Sequence, residues 1–229
     1  MTVGETTEGR RYGGAEADER RDRRRAALVR AGLTQFGTHG YANVSVKRIC
    51  EEAGLTQRYF YESFADRPAL LSAVYDHCVE VARAATLSAA AAFLDGAAVP
   101  ADDIAAAAHA TLGAFLGSLS ADPHRARVML VEVVGVAPAV ESLRLRAIHG
   151  WADLVLALAL GGRDPDPVQR LAAVGLIGAV TQLLVDWYFA SVSPDPIDIG
   201  AAGPLELSTV LDVCVELFTA TYDRVMRDR

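Results

Sequence analysis

The segment from Ser45 to Phe64, SVKRICEEAGLTQRYFYESF, constrains the fold of this chain more than any other stretch, because a glycine divides it into two short helical patterns. Apolar residues of the first half recur at the spacing of one helix face: Val46, Ile49, Cys50 and Ala53. Ser45 occupies the position of a helix N-cap, and Gly54 the position where a helix ends in a left-handed residue. The first half therefore predicts a short helix with a defined start and end.

The second half predicts another short helix, which begins after Thr56 as its cap. Phe60 and Phe64 are four residues apart and are expected to point into the core. The other side chains of this helix are left on its open side: Gln57, Arg58, Tyr59, Tyr61 and Glu62. Two helices joined in this way match helix-turn-helix spacing, and Arg and Gln are the residue types that read base edges. An amphipathic helical hairpin that does not bind DNA shows the same pattern. The flanking sequences therefore distinguish the two interpretations.

The flanks favour the helix-turn-helix. Upstream, RRAALVRAGLTQFGTHGY predicts a helix that ends at Gly40, and downstream ADRPALLSAVYD predicts a helix that starts at Asp66. The run from 25 to 75 resembles the N-terminal DNA-binding domain of TetR-family transcriptional regulators, through FGTHGY, SVKRICEEAGLTQRYFYESF and ADRPALL in that order. The run departs from the family pattern at three positions: Gly32, Gln35 and Cys50.

The resemblance implies an all-α fold, with an N-terminal three-helix DNA-binding domain that contains the helix-turn-helix and a C-terminal helical ligand-binding and dimerisation domain. We expect a disordered leader over 1–17, the DNA-binding domain over 18–67 and the C-terminal domain over 68–229. The expected DNA-binding residues are Ser45, Lys47, Thr56, Gln57, Arg58, Tyr59, Tyr61, Ser63 and Arg67. Gln57 and Arg58 are expected to read bases and the others to serve the backbone contacts, with Arg67 carried over from the basic position of the family.

The net charge is −7, which disfavours a nucleic-acid partner unless the charge is unevenly distributed. Residues 1–67 contain twelve Lys plus Arg against ten Asp plus Glu, whereas the remainder contains ten against nineteen. The first helix should begin at Asp18 or Asp22. A dense basic run lies at this start and consists of Arg20, Arg21, Arg23, Arg24 and Arg25. This run suits phosphates or a minor groove, and it equally suits a solvated helix start.

After the helix-turn-helix, a long helix should run from Asp66 to near Gly96 and link the two domains. Beyond Pro100 the sequence has no strand alternation and predicts helices over 101–119, 123–134, 138–160, 166–190 and 205–226. Apolar faces on the last two helices predict a homodimer through a four-helix bundle, and the resemblance supports this. The predicted interface residues are Leu171, Val174, Gly175, Gly178, Gln182, Val185, Leu207, Leu211, Cys214 and Phe218. Burial inside one protomer is the alternative for these faces.

The C-terminal helices are rich in small apolar residues and poor in charge, which favours a cavity for a small hydrophobic ligand over a phosphate or sugar site. The predicted ligand-binding residues are His109, Phe115, Met129, Trp151, Gln182 and Trp187. A tightly packed core without a cavity is the alternative, and His109 by itself is more typical of a satisfied core histidine.

Signals for catalysis and metal binding are weak. Phosphate-loop, nucleophile-elbow and zinc-protease motifs are absent from the sequence, so we expect neither an enzyme nor a cofactor nor a metal. Asp76, His77 and Glu80 share a helix face, which favours solvation over metal binding. Three well-separated cysteines indicate free thiols, and the uncharged stretches are too short or too polar for a membrane span, which places the protein in the cytoplasm.

These observations predict a ligand-responsive transcriptional regulator, a repressor that leaves a palindromic DNA operator when a small hydrophobic molecule binds. The alternative is an all-helical enzyme or carrier that keeps a vestigial helix-turn-helix.

Overall fold

The computed structural model describes residues 9–93, 99–192 and 205–227, and every regular element within them is helical. The helices are α1 Gly9–His39, α2 Val46–Ala53, α3 Gln57–Ser63, α4 Arg67–Ala90, α5 Ile104–Ser120, α6 Pro123–Arg127, α7 Pro138–Leu160, α8 Pro167–Val192 and α9 Leu207–Thr221. Two π-helical turns extend α6 and α9, over Val128–Glu132 and Tyr222–Met226. The predicted all-α fold is confirmed.

The first helix starts earlier than predicted. Residues 1–8 of the expected leader lie outside the described residues, and the backbone is helical from Gly9, where we expected the leader to continue to residue 17. Ala, Glu and Arg dominate the segment that joins this start to the rest of α1, and all three are strong helix formers. Ion pairs along the helix add to this: Arg21 Nη2 lies 2.8 Å from Asp18 Oδ1, and Arg23 Nη2 lies 3.9 Å from Glu19 Oε2.

The helices α1 to α3 and the first half of α4 share one apolar core. Its fully buried side chains come from all four helices: Leu28, Phe36, Ile49, Phe60, Leu70 and Val74. Gly32 allows α1 and α4 to approach closely, since a Cβ at this position would lie 2.9 Å from Val74 Cγ2. Gln35 is also buried here, and its Nε2 donates to Glu52 Oε2 at 3.1 Å. Because α4 contributes to this core well beyond residue 67, the domain boundary proposed there falls inside a continuous helix.

The C-terminal helices agree closely with the sequence predictions. The bounds predicted for α7 match those observed, and α5, α8 and α9 begin or end within three residues of prediction. Two further apolar clusters hold these helices together, one around Leu156 and Met226 and the other around Leu119 and Leu184. The predicted end of α4 near Gly96 lies outside the described residues, and the helix ends at Ala90.

Helix α8 is the single described helix that is long and apolar enough to span a membrane by length and composition. From the sequence, the uncharged part of this helix is too short for a span. Its Ala173, Val180 and Leu184 are buried against neighbouring helices, as in the core of a globular protein.

Candidate DNA-binding face and ligand cavity

Helices α2 and α3 are joined as the sequence predicts. Ser45 Oγ accepts a hydrogen bond from the Arg48 backbone N–H at 3.3 Å, and Gly54 ends α2 in the left-handed conformation with φ 65° and ψ 31°. The Leu55 N–H then donates to the Cys50 carbonyl at 2.9 Å and closes the turn. Thr56 occupies the N-cap position of α3, but its side chain makes no capping hydrogen bond, so its predicted capping role is limited to the backbone.

Helix α3 presents its predicted base readers to solvent, because Phe60 and Phe64 hold its other side in the core. Gln57 is exposed, and the Arg58 side chain is 85% exposed, with its Nε 2.9 Å from Glu62 Oε1. Tyr61 is 59% exposed, whereas Tyr59 is half-buried with the Arg24 guanidinium 4.6 Å above its ring. Arg58 is therefore exposed on the open side of α3, where its guanidinium is paired with Glu62.

The predicted phosphate-binding residues divide into two groups. Ser45 and Lys47 are exposed at the start of α2, with Lys47 Nζ 3.8 Å from Glu51. The half-buried Ser63 accepts a hydrogen bond from Arg25 at its carbonyl oxygen, at 2.9 Å. Arg67 is turned inward, and its Nη1 donates to the Tyr41 carbonyl at 3.1 Å and to the Val44 carbonyl. The geometry gives Arg67 a structural role at the helix-turn-helix in this state, in place of an outward-facing phosphate contact.

Two arginines of the basic run also have structural partners. The Arg24 guanidinium lies over Tyr59, and the Arg25 guanidinium lies 4.3 Å from the centre of the Phe64 ring. Arg25 in addition satisfies the carbonyl at the C-terminus of α3. These contacts hold α3 against α1. A solvated helix start, one of the two interpretations of the run, does not predict them.

A polar cluster joins the DNA-binding domain to the C-terminal domain, and we call it the interdomain latch: Tyr41, Arg127 and Glu132 with the carbonyl oxygens of Gly37 and Thr38. Glu132 Oε2 accepts from the Tyr41 backbone N–H at 2.6 Å, and Glu132 Oε1 accepts from Arg127 Nε at 2.7 Å. Arg127 Nη1 donates to the Thr38 carbonyl at 3.0 Å and to the Gly37 carbonyl at 3.5 Å. The Glu132 carboxylate is mostly buried, since this side chain is 11% exposed. Sequence reasoning missed the latch.

Close packing adds to the latch at the end of α1. A Cβ at Gly37 would lie 2.3 Å from His124 Cβ, so only glycine allows this approach between α1 and α6. The Thr38 hydroxyl lies 3.1 Å from His124 Nε2. His124 has no predicted role from the sequence beyond its place near a helix end, and it lies in the contact between the two domains.

A cavity of about 530 Å³ lies between α4, α5, α7, α8 and the π-helical turn after α6. This volume falls in the usual range for small-molecule sites. Four of the six predicted ligand-binding residues line it: Phe115, Met129, Trp151 and Gln182. His109 is exposed on the far side of α5, and Trp187 packs in the apolar cluster around Leu184, so neither lines the cavity.

One end of the cavity is polar, and its residues were not predicted. Tyr75 and Arg144 both line this end. Burial raises the pKa of the Tyr75 phenol to about 12, so it stays protonated. Arg144 Nη2 lies 2.6 Å from Glu141 Oε1, which raises the pKa of Arg144 and lowers that of Glu141. Arg144 is one of four charged residues in α7, so the sequence did not distinguish it from the others.

The residues of the predicted dimer face differ in how far they are exposed on the protomer. Gly175 and Gly178 are exposed on α8, and Leu171 is 74% exposed beside them. Cys214 is fully buried within the protomer and so is not available to a partner, whereas Phe218 is half-buried and lines the cavity. Val174, Val185, Leu207 and Leu211 are partly buried against the protomer's own apolar clusters. The exposed apolar residues of α9 are instead Val213 and Leu217.

Within the described ranges, no group of three or more His, Cys, Asp or Glu is arranged to hold a metal ion. Asp76, His77 and Glu80 are exposed, as the solvated-face interpretation predicts. Cys50, Cys78 and Cys214 are buried free thiols.

The structure thus combines an exposed helix-turn-helix, typical of a DNA-binding protein, with a separate internal cavity, and the interdomain latch joins the two domains. Residues 28–74 match the family described as bacterial regulatory proteins, tetR family. No curated protein sequence is significantly similar to the chain.

Solved structures share the fold along most of the chain. FadR from Bacillus subtilis in complex with stearoyl-CoA has 14% identity and a TM-score of 0.63, over 85% of this chain and 97% of that one. The fatty acid degradation regulator FadR from Bacillus halodurans has 15% identity and a TM-score of 0.62, over 86% and 94%. A tetR-family regulatory protein from Rhodococcus RHA1 has 16% identity and a TM-score of 0.56, over 85% and 96%. The DNA-binding domain of the chain therefore matches the TetR family, and the chain as a whole shares the fold of these solved structures.

Proposed function

We propose that this regulator is a cytoplasmic, dimeric repressor that binds a palindromic operator and leaves it when a small, largely apolar molecule fills the cavity. One observation carries the proposal: the π-helical turn Val128–Glu132 belongs to both the cavity and the interdomain latch. The proposed function of the protein is regulatory and involves no catalytic step. FadR from Bacillus subtilis, which has the same fold, binds stearoyl-CoA, and this supports an apolar ligand here.

The DNA-binding face supports sequence-specific binding. Gln57 and Arg58 are exposed on α3, and Ser45 and Lys47 are exposed at the start of α2, where they suit phosphates. In a two-fold dimer the two α3 helices enter successive major grooves roughly 34 Å apart, which requires a palindrome with half-sites about one turn apart.

The exposed apolar residues of α8 and α9 support the dimer. Leu171, Val213 and Leu217 are large apolar side chains at the surface, and Gly178 leaves room for a partner helix. Pairing of these helices across a two-fold axis buries them in a four-helix bundle.

The π-helical turn supplies a route from ligand to DNA. Met129, Leu130 and Val131 line the cavity, while Glu132 at the end of the same turn accepts from the Tyr41 N–H. A ligand that displaces the turn therefore displaces the end of α1 and the start of the helix-turn-helix. To switch the protein from 1% to 99% in the released state, the ligand must favour that state by about 5.5 kcal/mol.

Fluorescence anisotropy tests this proposal directly. The purified protein is titrated onto DNA from upstream of its own gene and onto random DNA at moderate salt, and compounds that raise its melting temperature are then added to the complex. We expect preferential binding to the upstream DNA and release by at least one stabilising apolar compound. Equal affinity for both DNAs, or stabilising compounds that never release the operator, would contradict the proposal.

A further inference from the structure

Threonines line the cavity, but their hydroxyl protons are already in use. Thr86, Thr111 and Thr181 each donate to a carbonyl of their own helix, at 3.0, 2.7 and 2.7 Å respectively. A hydroxyl has a single proton to donate, so these side chains offer a ligand only methyl groups and oxygen lone pairs. Most of the cavity wall therefore cannot donate a hydrogen bond.

Beside the indole N–H of Trp151, the cavity wall carries donors at Tyr75 and Arg144. The Tyr75 hydroxyl has no acceptor among the described residues, although the residue is only 5% exposed. Arg144 uses Nε and Nη2 for Glu141, at 2.6 to 3.2 Å, and its Nη1 has no acceptor in the described part of the chain. A ligand oxygen placed between the Tyr75 hydroxyl and Arg144 Nη1 can therefore accept a hydrogen bond from both donors.

The face of α7 gives the cavity its long axis. Arg144, Ile148, Trp151 and Val155 line the cavity from this helix and follow helical spacing. They extend over roughly 16 Å along the helix axis, with the charged residue at one extreme. The Trp151 ring packs edge-on against Phe115 at 4.9 Å, in the apolar middle of the cavity.

We propose that the ligand is an elongated apolar molecule with an acceptor oxygen at one end, a carbonyl or a carboxylate, and that Tyr75 and Arg144 bind this oxygen. The inference rests on the proposed function of the cavity as an inducer site. Tyr75 packs in the apolar core of the DNA-binding domain, so the polar end of the ligand contacts that domain directly.

Glu141 determines how the two kinds of oxygen bind. Its side chain is 38% exposed, so a ligand carboxylate can take its place on Arg144 while Glu141 turns to solvent. A neutral carbonyl instead accepts from the Tyr75 hydroxyl and Arg144 Nη1 and leaves the ion pair intact. Loss of the Glu141 charge therefore favours a carboxylate ligand and has little effect on a carbonyl ligand.

Isothermal titration calorimetry with dodecanoate and methyl dodecanoate tests the inference. We expect at least one probe to bind the wild-type protein, and Tyr75→Phe and Arg144→Gln to weaken its binding about five- to tenfold, the loss of one hydrogen bond. Thr111→Val is the matched control, since its hydroxyl is bonded to its own helix, and it should leave the affinity within about twofold. Glu141→Gln should strengthen dodecanoate binding if the ligand is a carboxylate, and leave methyl dodecanoate binding unchanged.

The outcomes separate this inference from the proposed function. Unchanged affinity in Tyr75→Phe overturns the placement of the oxygen, while the bound probe still supports the cavity as a ligand site. Failure of both probes to bind the wild-type protein overturns the ligand class, and the anisotropy experiment with other compounds still tests the inducer site. Circular dichroism verifies that each variant is folded. If Arg144→Gln does not fold, the nearly isosteric Tyr75→Phe alone tests where the ligand oxygen binds.

Discussion

Replacement of Glu132 by Gln tests whether the interdomain latch contributes to stability. The carboxylate accepts from the Tyr41 N–H at 2.6 Å and from Arg127 Nε at 2.7 Å. Gln keeps the shape but offers one acceptor oxygen, so one of the two donors then faces an amide N–H. A hydrogen bond to a charged group contributes about 1.5–3 kcal/mol, and the Arg127 side chain is 29% exposed, so we expect a loss of about 2 kcal/mol.

A melting experiment measures this loss. For a protein of this length, 1 kcal/mol corresponds to roughly 2–4 °C, so Glu132→Gln should lower the melting temperature by about 4 to 8 °C. Asp18→Asn is the control, because the Asp18 and Arg21 side chains are 66% and 61% exposed, and such pairs contribute little. A melting temperature for Glu132→Gln no lower than that of Asp18→Asn would refute the contribution assigned to the latch.

The same variant tests the coupling between ligand and DNA. Glu132 lies outside the cavity and away from the exposed face of α3. The affinity of the cavity for the ligand and the affinity of the DNA-binding face for the operator should therefore each change little. The ligand should release the operator less completely, because the Tyr41 N–H has lost its link to the π-helical turn. Full release by a saturating ligand would show that the signal takes another route.

Arg58→Ala should weaken operator binding by about 1–3 kcal/mol and spare random DNA, whereas Lys47→Ala should weaken both alike. Anisotropy titrations on both DNAs measure this, and an equal loss for Arg58→Ala rejects base reading. Gly178→Leu should yield a monomer in sedimentation, since within the described part of the protomer nothing lies within 4 Å of an added Cβ; a persistent dimer places the interface elsewhere. Burial raises the pKa of Cys78 to about 12 and of Cys214 to about 11, so both thiols should react slowly with a thiol reagent in mildly alkaline buffer until the protein is denatured. Rapid reaction of the folded protein would contradict their burial.

The helix-turn-helix could be predicted from sequence because local rules determine it. Ser45 at the N-cap and Gly54 at the left-handed C-cap mark the ends of α2, and both occur as predicted. The spacing of Phe60 and Phe64 defines the buried side of α3, and both are buried. Each of these features depends on residues only a few positions apart.

Helix faces in the C-terminal domain were harder to predict because apolar residues surround the helices. In α5 the segment IAAAAHATLGAF has small apolar residues in every direction, so periodicity does not determine which way His109 points. In α9 the apolar stripe is broader than one interface, and tertiary packing buries Cys214 while Val213 remains exposed. Arg67 shows the same limit at long range, since its carbonyl partners at Tyr41 and Val44 are far away in sequence.

The latch could not be predicted because it depends on a departure from α-helical geometry. Arg127 and Glu132 are five residues apart, and in an α-helix such residues point in different directions. The turn over Val128–Glu132 is π-helical, with hydrogen bonds between residues five apart, and this geometry brings Glu132 Oε1 to 2.7 Å from Arg127 Nε. The same turn places Met129 and Leu130 against the cavity. A return of this turn to α-helical geometry would separate the ion pair and rotate the cavity-lining side chains together, so the local geometry itself couples the ligand site to the contact with the DNA-binding domain.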